Sequence, residues 1–307
     1  MYDVVIIGGG PAGLTAGLYA SRRGMKTLII SKDIGGQITR TNEIENYPGF
    51  DHITGAQLGM NLFAQVKKFG GEVVFDEAKK IDGKDGEFSI KTTKNLYKTK
   101  SIILAFGKKP RELEVPGEEE LKGRGVSYCA TCDAPFFKDK IVTIVGGGNS
   151  ALDAALISSP IAKKVYLIHR GPKFRGEEVL IKKAEATKNI EIILNNEVTK
   201  IVGKEKVESI VLKDSKRLET DGIIVEVGFY IDRSLVIDLL KLDKNNQIEI
   251  SANQETSMPG IFAAGDLTTT PYKQIIIAAA EGAKAALTAF DYVQKLSGKK
   301  GIVADWH

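Results

Sequence analysis

The sequence is poor in the residues that build metal centres and disulfide frameworks. Its 307 residues contain two cysteines, three histidines and one tryptophan. A structural zinc ion takes four ligands, mostly from Cys and His, and Cys129 and Cys132 have no second pair to join them. We therefore expect no metal site, and a lone Cys-x-x-Cys pair near strand–helix units favours redox chemistry.

Membrane spans, export signals and a strong charge excess are also missing. A membrane helix needs about 18 or more apolar residues, and the nearest run, residues 275–290, is interrupted by Glu281, Gly282 and Lys284. Asp3 stands where a signal peptide would be positively charged. The net charge of +4 is too small to indicate nucleic-acid binding. We expect a cytoplasmic protein with no membrane or nucleic-acid partner, where a disulfide is more often catalytic than structural.

The sequence does contain one pattern of apolar strand, glycine-rich turn and helix that occurs twice. The turns read GGGPAG at residues 8–13 and GGGNSA at residues 146–151. A second apolar strand follows each helix, and these strands end at Ser31 and His169, at the same offset from the first glycine of their turn. Two such fingerprints with matched spacing are much stronger evidence for dinucleotide binding than one.

The positions within each turn have separate physical roles. The first glycine allows the tight turn, the second lets the backbone approach a pyrophosphate, and the third lets the helix pack on the strand. Ala151 takes the third place in the second copy. The helix N-terminus then offers free N–H groups to the phosphates. Glycine turns that serve packing alone are the alternative.

Length and composition fit two globular domains, with 43% hydrophobic and 27% charged residues. The helical pattern of residues 272–296 follows the second copy and is expected to rejoin the first domain. The sequence therefore predicts an α/β fold of two Rossmann-like nucleotide-binding domains, with the second inserted into the first.

The two cysteines lie in the sequence CATCD at residues 129–133, just before the second fingerprint. In Cys-x-x-Cys motifs a thiol pKa commonly falls to about 3.5–7.5, so that a nucleophilic thiolate forms near neutral pH. Asp133 follows directly and could exchange a proton with a thiolate. Half of a zinc site and a pair of buried apolar cysteines are the alternatives, and both fit the motif less well.

Together these motifs resemble low-molecular-weight thioredoxin reductase, an FAD-dependent pyridine nucleotide-disulfide oxidoreductase, along essentially the whole chain. The matching segments are residues 8–13, GGQ at 35–37, ENYPGF at 45–50, residues 129–133, residues 146–151, HR at 169–170 and AAGD at 263–266. The Pro-Gly segment at residues 111–117 and the polar segment at residues 241–247 favour domain boundaries there. The resemblance implies that the split domain, residues 1–113 and 243–307, binds FAD. It implies an NAD(P)H-binding domain of residues 114–242 that carries the redox disulfide. It also implies a homodimer that reduces thioredoxin or a glutaredoxin-like protein.

The resemblance also assigns roles to particular residues. Cys129 would attack the protein substrate, Cys132 would face the flavin, and Asp133 would act as acid and base. Asp266 would accept a ribityl hydrogen bond, although it could instead cap the following helix. The residues expected to bind FAD are Gly8, Gly10, Pro11, Ala12, Gly13, Ser31, Gly35, Gly36, Gln37, Asn46, Ala105, Gly107, Gly265, Asp266, Gln274 and Ile275. Those expected to bind the nicotinamide nucleotide are Gly146, Gly148, Asn149, Ser150, Ala151, His169, Arg170 and Arg175.

The chain departs from the family in the segment after His169. Gly171 stands where the family has a second arginine for the 2′-phosphate of NADPH, which leaves Arg170, Lys173 and Arg175 as the cations there. This cluster still favours NADPH over NADH, and a solvated basic turn is the alternative. Phe106 replaces the usual threonine between Ala105 and Gly107, and residues 228–232 lack the family's Pro-Asn.

The leading interpretation is an enzyme that passes electrons from NAD(P)H through FAD and the Cys129–Cys132 disulfide to thioredoxin. A flavin disulfide reductase with another donor, such as ferredoxin or a deazaflavin, is a second possibility. A flavoprotein that senses redox state without turnover is a third.

Overall fold

Both glycine-rich turns join a buried strand to a helix. The fold is known from a computed structural model, which describes residues 1–40, 44, 46–128 and 130–299. These residues form two compact units, of which the first is Met1–Lys108 with the described chain from Ile231 onward, and the second is Lys109–Tyr230.

In the described chain, strands and helices alternate in residues 1–75 and 130–194, whereas strands follow one another directly in residues 78–127 and 198–263. The strands are β1 (Tyr2–Ile7), β2 (Thr27–Ser31), β3 (Glu72–Phe75), β4 (Ala78–Lys84), β5 (Glu87–Thr92), β6 (Leu96–Leu104), β7 (Lys109–Pro110), β8 (Val126–Ser127), β9 (Ile141–Gly146), β10 (Lys164–His169), β11 (Ile190–Leu194), β12 (Val198–Val202), β13 (Ser209–Leu212), β14 (Arg217–Glu219), β15 (Gly222–Glu226), β16 (Phe229–Tyr230) and β17 (Ile261–Ala263). The helices are α1 (Pro11–Arg22), α2 (Gly55–Lys68), α3 (Ala130–Asp133), α4 (Asn149–Ser158), α5 (Glu178–Ala186) and α6 (Ile275–Leu296). Short 3-10 helices cover Gly36–Arg40 and Ala134–Phe137.

The first unit is built on a sheet in the order β3-β2-β1-β6-β5-β4, with β17 also paired to β6. Strand β1 lies parallel to both β2 and β6, and its last four residues are buried. A continuous apolar run of this kind is typical of a parallel strand covered on both faces. Helices α1 and α6 pack closely because Gly282 has no side chain, since a Cβ there would lie 2.0 Å from the Ala12 carbonyl oxygen.

The second unit repeats this plan on a smaller scale. Its main sheet has the order β11-β10-β9-β15-β8, and every neighbouring pair is parallel. Helix α4 packs its small residues Ala151, Ala154 and Ala155 against the buried strand residues Val142 and Ile144. An antiparallel sheet, β12-β13-β14, is added to this unit. The predicted α/β fold with two Rossmann-like units is therefore confirmed.

The two passages of the chain between the units pair with each other. Strand β16 lies antiparallel to β7, with Phe229 opposite Pro110 and Tyr230 opposite Lys109. This ribbon belongs to the second unit, whereas Val236 and Leu240 are buried in the core of the first. The units therefore divide earlier than the expected boundaries after residues 113 and 242. Which nucleotide each domain binds stays a prediction.

None of the helices in the described part of the chain is both long enough and apolar enough to cross a membrane.

Candidate functional site

The first glycine-rich turn accepts only glycine at its ends. Gly8 has a φ of 119°, and a Cβ there would lie 2.3 Å from the Ala105 carbonyl oxygen. A Cβ on Gly13 would lie 1.9 Å from the Gly8 carbonyl oxygen. Gly10 is the N-cap of α1, and Pro11 opens the helix without any side chain capping it. The free N–H groups of this helix start are suited to bind phosphate.

A second glycine pair is held against this turn. The Gly35 N–H donates to the Gly9 carbonyl oxygen at 2.7 Å, and the Gly36 N–H donates to Asp33 Oδ1 at 3.1 Å. A Cβ on Gly36 would lie 3.3 Å from the Gly10 Cα. Ser31, at the end of β2, is buried. The predicted residues of the first fingerprint and of the GGQ segment are therefore brought together.

Polar side chains continue this site along the same unit. Gln37 Nε2 donates to the Lys108 carbonyl oxygen at 3.0 Å, next to Gly107 with its φ of 66°. Asn46 Nδ2 donates to Gln274 Oε1 at 3.3 Å. Gln274 is the N-cap of α6 and Ile275 its first residue, but the Gln274 side chain makes no capping hydrogen bond. The neighbouring Glu45 lies outside the described residues.

Asp266 forms an ion pair with Lys108, whose Nζ is 3.3 Å from Asp266 Oδ2. Two partners of this loop were not predicted from the sequence. Glu281 is buried on α6 and accepts a hydrogen bond from the Gly265 N–H at 2.6 Å. Lys273 Nζ donates to the Thr268 carbonyl oxygen at 2.6 Å, and burial lowers the pKa of Lys273. Glu281 is the one charged residue among the apolar and small residues 275–283 of α6, and this pattern was the signal that could have indicated it.

The second turn has the same plan with more open space. A Cβ on Gly146 would lie 2.2 Å from the Glu226 carbonyl oxygen, whereas a Cβ on Gly148 would have no heavy atom within 4 Å. Gly148 is the N-cap of α4, again with no side-chain cap, and Ser150 and Ala151 lie in its first turn. Asn149 and Glu177 exchange hydrogen bonds, at 3.0 Å from Asn149 Nδ2 to Glu177 Oε1 and at 2.7 Å from the Glu177 N–H to Asn149 Oδ1.

The His169 side chain packs against this turn. A Cβ on Gly147 would lie 2.2 Å from His169 Nδ1, and the imidazole stacks on Phe174 with ring centroids 5.7 Å apart. Burial lowers the pKa of His169, and the nearby Arg175 and Arg170 lower it further. These effects favour the neutral form of the His169 imidazole beside this turn.

The basic residues after β10 are open to an anion. Arg170, Lys173 and Arg175 are exposed. Among the described residues, no carboxylate lies within ion-pair distance of any of them. The Arg175 N–H donates to the Gly147 carbonyl oxygen at 2.7 Å, which fixes the backbone of this segment beside the turn.

The redox motif lies in the same unit as the second turn. Cys129 is outside the described residues, and Cys132 lies in α3 with a side chain that is not described. Helix α3 packs against α4. The Asp133 carboxylate accepts a hydrogen bond from Ser127 Oγ, a partner that the sequence did not suggest. In the described residues, no group of three or more potential metal ligands is present.

Each turn thus fits the pyrophosphate of a dinucleotide. Each combines an uncapped helix start with a glycine, Gly10 or Gly148, where a side chain would have nothing nearer than 3.8 Å. This cradle is what a bound pyrophosphate needs from the backbone. Among the described residues, unpaired cations lie beside the second turn and not beside the first, which fits a nucleotide with an additional phosphate at the second turn.

Comparison with known proteins identifies the class. The sequence profile described as pyridine nucleotide-disulphide oxidoreductase matches residues 2–282, and the chain belongs to this family. The thioredoxin reductase of Listeria innocua is 39% identical over 304 residues, covering 96% of this chain and 95% of the relative.

Solved structures agree with this relative. Lactococcus lactis thioredoxin reductase superposes with a TM-score of 0.85 at 37% identity, covering 96% of this chain and 100% of that one. Thioredoxin reductase from T. acidophilum gives 0.82 at 36% identity, covering 96% and 99%. The chain is thus an FAD-dependent thioredoxin-disulfide reductase that uses NADPH. The predicted resemblance, enzyme class and cofactors are confirmed, and a non-nicotinamide donor is not favoured.

Proposed function

We propose that the first unit binds FAD and the second binds NADPH, with Cys129 and Cys132 as the disulfide between them and thioredoxin. This proposal rests on the packing of α3, which contains Cys132, against the fingerprint helix α4. It puts the redox motif and the second nucleotide turn in one structural unit. FAD, when bound, supplies the two-electron relay between the nicotinamide and the disulfide.

The two glycine-rich turns and their helix starts indicate which residues would bind each nucleotide. Backbone N–H groups at the start of α1, together with Gly35 and Gly36, would hold the FAD pyrophosphate. Asp266, Asn46 and the start of α6 would hold the rest of the cofactor. The second turn would hold the NADPH pyrophosphate, and Arg170 and Arg175 its 2′-phosphate. We propose a preference for NADPH over NADH on the charge of this segment.

The thiols would reduce thioredoxin in two exchange steps. The Cys129 thiol loses a proton and attacks the substrate disulfide, forming a mixed disulfide while the leaving sulfur takes up a proton. The Cys132 thiol then loses its proton and attacks Cys129, so that the second substrate sulfur leaves and is protonated. Two electrons and two protons reach the substrate in total. Asp133 would pass protons to and from these sulfurs.

The finer properties of the assembly are also proposals. We propose a homodimer, which sedimentation should show as twice the chain mass. Thioredoxin is the expected substrate, and a glutaredoxin-like protein should be tested beside it. The cytoplasmic location expected from the sequence stays a prediction.

Replacing the cysteines tests the electron path. Cys129→Ser, Cys132→Ser and the double variant should lose NADPH-dependent thioredoxin reduction. Anaerobic bleaching of the bound flavin by NADPH should continue, because that step needs no thiol. Thr131→Ser alters one of the two residues between the cysteines without removing a thiol, and serves as the matched control with near-normal turnover. A double variant that reduces thioredoxin at the wild-type rate would refute the proposed path.

A further inference from the structure

A side-chain hydrogen bond joins Ser127 to Asp133, the residue that follows Cys132. Ser127 is buried at the end of β8, where it lies opposite Ile224 of β15 in the parallel sheet. Its Oγ donates to Asp133 Oδ2. The donor is therefore fixed by a strand in the sheet, whereas the acceptor follows Cys132 directly in the chain.

In the described part of the chain, the Asp133 carboxylate neither caps a helix nor forms an ion pair. Asp133 is at the N-cap of the 3-10 helix Ala134–Phe137, where an aspartate commonly caps free N–H groups. Its side chain makes no such bond, and the following Pro135 has no N–H to offer. No ion pair holds it among the described residues either. The described side chain that orients this carboxylate is Ser127.

Tyr128, the residue after Ser127, makes a second side-chain hydrogen bond that holds the chain just before Cys129. Tyr128 Oη donates to Glu118 Oε1 at 2.8 Å, and Glu118 is buried and also accepts from the N–H groups of Leu113 and Glu114 at 3.0 and 2.7 Å. Tyr128 thus ties the backbone before Cys129 to another loop. Ser127, in contrast, is bonded to the proposed acid–base group itself.

We propose that Ser127 is a positioning residue for Asp133 in thiol–disulfide exchange. By donating to Oδ2 it fixes the rotation of the carboxylate, so that Oδ1 stays available to exchange a proton with a motif sulfur. Asp133 gives a proton to a leaving sulfur and recovers one from the attacking thiol, while the Ser127 proton stays on Oγ throughout. This inference rests on the proposed role of Asp133.

The test compares Ser127→Ala, Ser127→Thr and Asp133→Asn, alone and combined, with Tyr128→Phe as the matched control. Each half of the reaction is measured separately, as thioredoxin reduction and as anaerobic flavin reduction by NADPH. Ser127→Ala should lower kcat for thioredoxin about tenfold, the size expected for one hydrogen bond to a charged group. Its KM for thioredoxin and its rate of flavin reduction should stay unchanged. Ser127→Thr, which keeps the hydroxyl, should recover most of kcat.

The combined variants separate positioning from general stability. Adding Ser127→Ala to Asp133→Asn should lower kcat by less than about twofold, because residues that act through one another are not additive. Tyr128→Phe removes a hydroxyl from the residue next to Ser127 and leaves the hydrogen bond to Asp133 in place. The fold reductions in kcat caused by Tyr128→Phe and by Asp133→Asn should therefore multiply in the combined variant.

The outcomes distinguish the two proposals. Normal thioredoxin turnover in Asp133→Asn would overturn the role of Asp133 and that of Ser127 with it. An impaired Asp133→Asn beside a normal Ser127→Ala would overturn the Ser127 proposal alone. Multiplicative effects of the two substitutions, or a raised KM with unchanged kcat, would also overturn it and show that Ser127 serves packing.

Discussion

The two glycine-rich turns share one plan but are completed by different side chains. In the first, the third small residue is Gly13, whose Cβ would lie 1.9 Å from the Gly8 carbonyl oxygen. In the second, Ala151 occupies this place and is fully buried. The strand end beside the turn is the small Ser31 in one copy and the bulkier His169 in the other. We propose that the shared backbone plan binds pyrophosphate and that the side chains around it distinguish the two nucleotides.

The largest expected effect comes from exchanging the third small residue of each turn, Gly13 in the first and Ala151 in the second. Gly13→Ala should cost about 3 kcal/mol of unfolding free energy or more, because the new methyl group overlaps a backbone oxygen that cannot move freely. The purified variant should contain little FAD. Both effects are measured by denaturant unfolding and by flavin absorbance per protein.

The reverse exchange is the matched control. Ala151→Gly removes a buried methyl group and adds backbone freedom, for an expected loss of about 1–2 kcal/mol. It should leave the FAD content normal. Equal losses in the two variants would mean that the turns are equally packed and that the comparison is wrong.

A second prediction concerns Arg170 and Arg175, the exposed cations beside the second turn. Arg175→Ala and Arg170→Ala should each raise the KM for NADPH by about 10-fold or more over the effect on NADH, since a bond to a charged phosphate contributes about 1.5–3 kcal/mol. Steady-state kinetics with both nucleotides measures the difference. Lys32, which follows Ser31 in the first copy, is paired with Glu77 at 2.9 Å, so Lys32→Ala should affect neither KM. Equal changes for NADPH and NADH would exclude a 2′-phosphate contact.

A third prediction concerns Glu281, which supports only the first site. Glu281→Leu would leave the Gly265 N–H without its acceptor, an expected cost of about 1–3 kcal/mol for a buried donor. Urea unfolding measures the loss, and flavin fluorescence reports whether FAD is released earlier than in the wild type. Glu281→Gln keeps an oxygen acceptor and should lose less. If both variants unfold like the wild type, the Gly265 loop is held by other contacts.

How much of this site was predictable depended on the kind of contact. The turns, the strand ends and the redox motif are local patterns, so their periodicity and spacing indicated both the fold and the nucleotide sites. The bonds of Ser127 to Asp133 and of Glu281 to Gly265 join residues 6 and 16 positions apart. Such bonds arise only when tertiary packing brings two elements together, and no periodic pattern marks them in the sequence.

The domain boundaries illustrate the same limit. Residues 111–117 and 241–247 are polar or contain Pro-Gly, which is typical of linkers. The units divide instead at the β7–β16 ribbon, whose pairing joins residues far apart in the chain. Strand pairing between distant short segments leaves little trace in local composition.

The smallest expected effect is a pH dependence that belongs to His169 and has no counterpart at Ser31. The folded protein holds the His169 pKa below its ordinary value, mainly by burial and then through Arg175 and Arg170. The unfolded chain keeps a histidine pKa of about 6.5 and so binds more protons than the folded chain just below that pH. Stability should therefore be complete above about pH 6.5 and should decline as the pH falls from there to the lowered folded pKa.

His169→Asn removes this titration and should flatten the decline of the melting temperature between about pH 7.5 and 5.5, a range that brackets the ordinary histidine pKa. His52 is exposed in the first unit, so His52→Asn is the control that removes an imidazole without changing the second turn. Scanning calorimetry of the three proteins across this range gives the comparison. If wild type and His169→Asn lose the same number of degrees, another group causes the acid destabilisation. If only His169→Asn resists acid, the strand end of the second turn is pH-sensitive because a buried imidazole packs against that turn near Arg175 and Arg170.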